Sequence, residues 1–250
     1  MSYQQYRPNS FSVLPPVVKN LLILNGLFFL ASMVLESQYK IDLSDILGLH
    51  FPLSERFRSY QLVSYMFMHA TFSHLFFNMF ALWMFGNVLE NFWGSKRFLT
   101  YYMITGIGAA VVQLVVTYFR LESLYSQVSP EDLTLVLSKG QEVYAEGKNF
   151  IDGTMGEINI LINNSTIGAS GAVFGILLAF GMLFPNTLLY IYFAIPIKAK
   201  WFVVLYGAAE LFFGIANNPN DNVAHFAHLG GMLFGFILIM FWKKNKKTIF

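Results

Sequence analysis

The chain has 250 residues, 56% of them hydrophobic and 12% charged, with a mean hydropathy of +0.53 and a formal net charge of +2. A soluble globular domain carries roughly 25% charged residues, so this composition points to an integral membrane protein. There is no cysteine, which excludes disulfides, thiolate nucleophiles and sulfur-ligated metals.

A polar leader, residues 1–16, precedes a first apolar stretch from about Val17 to Leu35. That stretch lacks the small-residue cleavage pattern of a signal peptide and reads as a retained span. Further spans are predicted near 63–88, 97–119, 168–184, 200–217 and 223–242, so residues 17–242 form an all-α polytopic bundle of six transmembrane helices. A long external excursion, about 120–167, separates the third span from the fourth. Within it, Ser129-Pro130-Glu131-Asp132 offers an N-cap, a proline at the first helical position and acids in the first turn. The pattern predicts a short surface helix near 130–139, stopped by Gly140. Leu133, Val136 and Leu137 give it one apolar stripe, suited to resting on the membrane surface. The run from Leu188 to Ile197 is interrupted by Pro196. About ten residues cannot cross ~30 Å of hydrocarbon as a helix, so an interfacial or re-entrant connection is expected there. Residues 243–250 form a basic tail.

Six spans put both termini on one side. That side collects Arg7, Lys19, Lys96, Arg97, Lys198, Lys200, Lys243, Lys244, Lys246 and Lys247 against one acid, Glu90. The segments around 36–62, 120–167 and 218–222 hold the other six basic residues and twelve acids. The positive-inside rule then puts both termini in the cytoplasm. Spans two, four and six run inward from the opposite side. His69, His74 and Asn78 open the second, Ser170 the fourth, and His225 and His228 the sixth, so these polar groups share one level near the outer face.

Ser170 lies in Gly168-Ala169-Ser170-Gly171-Ala172-Val173-Phe174-Gly175 and His228 in Ala227-His228-Leu229-Gly230-Gly231-Met232-Leu233-Phe234-Gly235. Gly171/Gly175 and Gly231/Gly235 each have the spacing that lets membrane helices approach at their backbones. A serine and a histidine brought together so make a nucleophile and its general base. His74 and Asn78, four apart, share a helix face and both can donate to a developing oxyanion, as can N–H groups at the start of a helix. The sixth span holds no acid to orient the imidazole and Asp221 lies about two turns ahead of it, so a dyad is expected. Other readings stand beside this one. Membrane serines often bond a backbone carbonyl, and His225 with His228, joined by His69 and His74, would make an imidazole metal site. Glu210, the lone acid within a span, reads as a hydrogen-bonded structural residue rather than a proton relay.

Taken together, these motifs resemble the rhomboid intramembrane serine proteases over nearly all of the spanning region. The family's Gly-x-Ser-Gly is matched by Gly168 to Gly171, and its histidine with glycine three and seven residues on by His228, Gly231 and Gly235. His69, His74 and Asn78 match its His-x4-His-x3-Asn. The resemblance implies Ser170 as nucleophile, His228 as base, His74 and Asn78 in the oxyanion hole, and His69 as structural. Tyr60-Gln61 stands where members often carry Trp-Arg, and Phe174 where many have tyrosine. No cofactor and no metal are implied. The expected substrates are single-span membrane proteins, with the lipid bilayer and no nucleic acid as further partners, in a bacterial plasma membrane. Gating is expected to involve span five and the loop Asn217–Asn222. The alternative is an inactive rhomboid-like factor that binds or dislocates membrane clients.

Overall fold

Pro16 at the first helical position starts α1 (Pro16–Tyr39), which ends where Lys40 turns left-handed at φ 57°. The computed structural model describes residues 11–191, 194–216 and 223–244. Arg7, the loop Asn217–Asn222 with Asp221, and the tail lysines Lys246 and Lys247 lie outside them. After α1 come the short helices α2 (Leu43–Leu47) and α3 (Gln61–Ser64). Next, α4 (Phe72–Ala81) runs through a π turn, Leu82–Gly86, into α5 (Asn87–Trp93). A turn at Gly94 (φ 81°) leads to the long α6 (Ser95–Tyr125). The long segment after α6 folds as α7 (Pro130–Ala145) and α8 (Gly153–Asn163), followed by α9 (Ser170–Leu183). Strands β1 (Leu188–Ile191) and β2 (Ile195–Lys198) then precede α10 (Ala199–Ala216) and α11 (His225–Lys244).

Five of these units are long and apolar enough to cross a bilayer: α1, the joined α4–α5, α6, α10 and α11. The sixth apolar helix, α9, has 14 residues and at 1.5 Å per residue reaches about 21 Å. Phe184 at its end packs on Phe92, so a helix anchored there begins partway up the bundle. The start of α1 and the end of α11 meet at that same level. Both oxygens of Glu90 accept backbone N–H groups, from Val17 (2.9 Å) and Val18 (2.8 Å), and Trp242 packs edge-on against Trp93 at 5.5 Å. The start of α1 and the end of α11 therefore share one end of the bundle, as an even number of crossings requires. Leu188–Ile191 and Ile195–Lys198 pair as antiparallel strands, so the described residues of this run hold no crossing helix.

At the centre stands α6, whose Gly106, Gly108, Ala109 and Ala110 are buried against neighbouring helices. The two glycine pairs do not both face each other. Gly231 lies directly on the Gly171 carbonyl, where any Cβ would collide. Gly175 instead faces Thr105, and Gly235 faces Tyr101, both on α6; the Tyr101 hydroxyl donates to the Gly175 carbonyl at 2.9 Å. One pair joins α9 to α11, and the other two glycines let α6 close on both.

The segment holding α7 and α8 departs from expectation in two ways. α7 continues through Gly140 because that residue packs under the Asn159 side chain of α8, where a Cβ would not fit. The stripe also turns inward in part. Val136 joins Phe51, Leu121, Met155, Ile158 and Ile162 in a small second core, while Leu137 stays 52% exposed. Arg120 at the end of the third span pairs with Glu157 of α8 at 2.9 Å. This cap is tied back to the bundle by a bridge between Leu49 and Thr166, four residues before the nucleophile candidate. Gln61, in the place of the arginine, is buried and organises the loop. Its carbonyl accepts from the His50 and Arg58 N–H groups and its amide donates to the Ile46 and Arg56 carbonyls.

Gly231→Val is expected to force α9 from α11, and overpacking of this kind costs about 1–3 kcal/mol. The thermal midpoint of the purified protein should fall clearly, whereas Gly26→Ala, with nothing near its added carbon, should leave it unchanged or raise it.

Candidate active site

Ser170 is the first residue of α9, and no side chain caps that helix. The N–H groups of its first turn therefore have no partner within the helix and are free to bind an anion. The turn before it is fixed at Gly168, whose N–H donates to the Tyr65 carbonyl at 2.9 Å. Gly168 has φ 127°, a conformation that side chains rarely adopt. A Cβ there would lie 2.8 Å from His74 Nε2 and 3.6 Å from Ser170 Oγ. The bare glycine thus lets the His74 ring and the Ser170 hydroxyl converge on one spot.

His228 sits in the first turn of α11 with Nε2 2.8 Å from Ser170 Oγ. Its ring stacks on Phe174, one turn beyond Ser170, with centroids 4.1 Å apart and planes 7° from parallel. Phenylalanine therefore supplies a stacking surface at the position where the resemblance implies a tyrosine. On its far side His228 Nδ1 is 2.8 Å from Glu210 Oε2, and the same oxygen is 2.6 Å from His225 Nδ1. Glu210, His225 and His228 are all buried.

This corrects the expectation of a dyad without a carboxylate. Residues 15 and 18 apart meet because α10 and α11 are neighbouring helices, and no periodicity in an apolar lipid-facing helix marks which way Glu210 points. The usable signal was the presence of an acid in a span at all. Asp221, the other carboxylate considered, lies outside the described residues.

The structure brings His74 to the site and leaves Asn78 half committed. Thr71 caps α4 by accepting the His74 N–H at 3.1 Å, and the Asn78 amide donates to the His74 carbonyl at 2.9 Å. One amide hydrogen of Asn78 is therefore spent on its own helix. His69 is buried with its ring edge-on to His74 at 5.0 Å, a packing contact. The alternative four-histidine metal set does not assemble among the described residues. Among the described residues, Glu210, His225 and His228 have ligand atoms within 4.8 Å of one another, without His69 or His74. A cation held by His228 Nδ1 would require the ring proton at Nε2, so metal binding there and base catalysis exclude each other.

A family model described as the Rhomboid domain matches residues 56–125 and 142–245. The chain is similar to three proteins whose names place them in mitochondria. It is 26% identical to a rhomboid protein of Schizosaccharomyces pombe, covering 75% of this chain and 53% of that one. It is 25% identical to RHOMBOID-like protein 12 of Arabidopsis thaliana over 94% of this chain and 60% of the relative. Identity to Rhomboid protein 1 of Saccharomyces cerevisiae is 29%, over 68% and 38%. The matched region thus spans between about two fifths and three fifths of these relatives.

Gly168→Ala should strain the turn by about 1–3 kcal/mol and push on His74. The rate at which a fluorophosphonate labels Ser170 is expected to fall roughly ten- to a hundredfold, measured by gel fluorescence on folded protein; an unchanged rate would detach this turn from the site.

Proposed function

The chain belongs to the rhomboid family, and from that premise we propose that it is a serine endopeptidase cleaving transmembrane segments of single-span membrane proteins. The observation that carries this reading is the hydrogen bond of Ser170 Oγ to His228 Nε2, 2.8 Å. Ser170 Oγ attacks the scissile carbonyl carbon while its proton passes to His228 Nε2, and the carbonyl π electrons move onto oxygen. The first-turn N–H groups of α9, with His74 and Asn78, stabilise that oxyanion. When the intermediate collapses, the C–N bond breaks and His228 delivers the proton to the leaving amine. Water then attacks the acyl-serine with the same base, releasing the acid and restoring Ser170.

A helical peptide bond is hydrogen-bonded within its own helix, so the substrate must unwind locally before attack. Small residues near the cleavage site favour that step. We infer a site opening toward the face opposite the basic end, in a bacterial plasma membrane with that end in the cytoplasm. The three relatives carry a mitochondrial label, which makes a mitochondrial membrane the second location to test by fractionation.

Incubation of the purified chain with a fluorescent transmembrane substrate tests the activity. Ser170→Ala and His228→Ala should each abolish cleavage while still inserting, and Asn78→Ala should slow turnover by roughly a hundredfold. Persistent cleavage by Ser170→Ala would overturn the mechanism. A folded wild-type protein that neither cleaves nor takes up a fluorophosphonate would instead be a binding or dislocation factor.

A further inference from the structure

We propose that Glu210 and His225 extend the proposed pair into a four-residue unit, with Glu210 as the residue that positions His228. The inference rests on the protease reading and adds a member on α10 to it. An ionised carboxylate can only accept hydrogen bonds. With Glu210 Oε2 at 2.8 Å, His228 Nδ1 must be the ring nitrogen that carries the proton. The lone pair is then left on Nε2, which faces Ser170 Oγ at 2.8 Å. The carboxylate thereby selects the tautomer that can act as a base and fixes the ring plane, with Phe174 holding the opposite degree of freedom by stacking. As His228 takes the serine proton it becomes positive, and the adjacent carboxylate stabilises that charge without receiving a proton itself.

His225 has a separate task. A single carboxylate in an apolar helix, with one partner on a neighbouring helix, would be poorly determined in direction. His225, one helical turn before His228, donates from Nδ1 to the same oxygen at 2.6 Å and pins it between two imidazoles. Gly214, one turn after Glu210 on α10, allows this approach, because a Cβ there would press on His225 and Phe226. The arrangement also explains why α10, most of whose surface is exposed, buries a carboxylate at this level. Ala199, Val203 and Glu210 are its buried residues, and Glu210 is the one with charge.

Kinetics on the full chain in lipid nanodiscs test the proposal. Glu210→Gln should lower kcat by roughly 10²–10⁴-fold while leaving KM within about twofold, since nothing that contacts substrate is removed. His225→Phe should lower kcat by less. In the double variant it should add nothing to Glu210→Gln, because it acts through the carboxylate. Nitrogen-15 spectra of histidine-labelled wild-type protein supply a readout apart from turnover and from the folding of any variant. They should show neutral His228 protonated at Nδ1. A wild-type kcat in Glu210→Gln or a change in KM alone would each overturn the inference while leaving the protease reading intact, whereas His228 protonated at Nε2 would overturn both the inference and the assignment of His228 as the base. Product formation that does not depend on Ser170 would overturn that reading, and this inference with it.

Discussion

The contact of Gly171 with Gly231 is the constraint on which the rest of the site depends. In hydrocarbon, helices gain little from burying apolar surface against one another, since lipid is equally apolar. Close association therefore comes from backbone-level packing and from polar bonds between helices. With no side chain on either residue, α9 and α11 touch through the peptide itself. That separation is what lets a short side chain at the start of α9 reach an imidazole in the first turn of α11. A Cβ at Gly231 would collide with the Gly171 carbonyl, and one at Gly171 would collide with Ala109 of α6, so a larger residue at either position forces the packing around Ser170 to shift.

Around this contact the fold supplies a stiff frame. α6 closes on both helices through small residues and through the Tyr101 hydroxyl on the Gly175 carbonyl. Ahead of α9, the Leu49–Thr166 bridge and the Gly168 N–H on the Tyr65 carbonyl set the path of the chain into Ser170. Buried polar groups in such a setting are expensive when unpaired. Gln61, Glu90 and Glu210 each meet that cost by serving several partners at once: backbone groups for the first, backbone N–H groups and the Ser95 hydroxyl for the second, imidazoles for the third. All three therefore fix a geometry and not merely a contact.

Much of this was legible in the residues. Ser170 and His228 stood out because a hydroxyl and an imidazole each preceded small-residue spacing on spans of the same direction. Charge asymmetry and span parity agreed, and the shared end of α1 and α11 bears out an even number of crossings. Other features were hidden for physical reasons. Gly140 reads as a helix stop, yet glycine also permits the close packing on Asn159 that keeps the helix going. α8 contains Gly153 and Gly156, which weaken its helix signal. Its helix is held by Ile158 and Ile162 in a core built from residues far away in sequence. The partners of Gly175 and Gly235 could not be known without the position of α6. Glu210 was visible as an anomaly, but its direction depended on how α10 leans on α11.

The central claim is that the helix contact holds the Ser170 hydroxyl against the His228 imidazole in the working protein. A bifunctional inhibitor that first acylates a serine and then alkylates a base within its reach measures this directly by mass spectrometry. The account predicts one adduct joining the Ser170 and His228 peptides in wild-type protein, lost in Gly231→Val. Acylation of Ser170 with no link to His228, or a link that survives Gly231→Val unchanged, would contradict it.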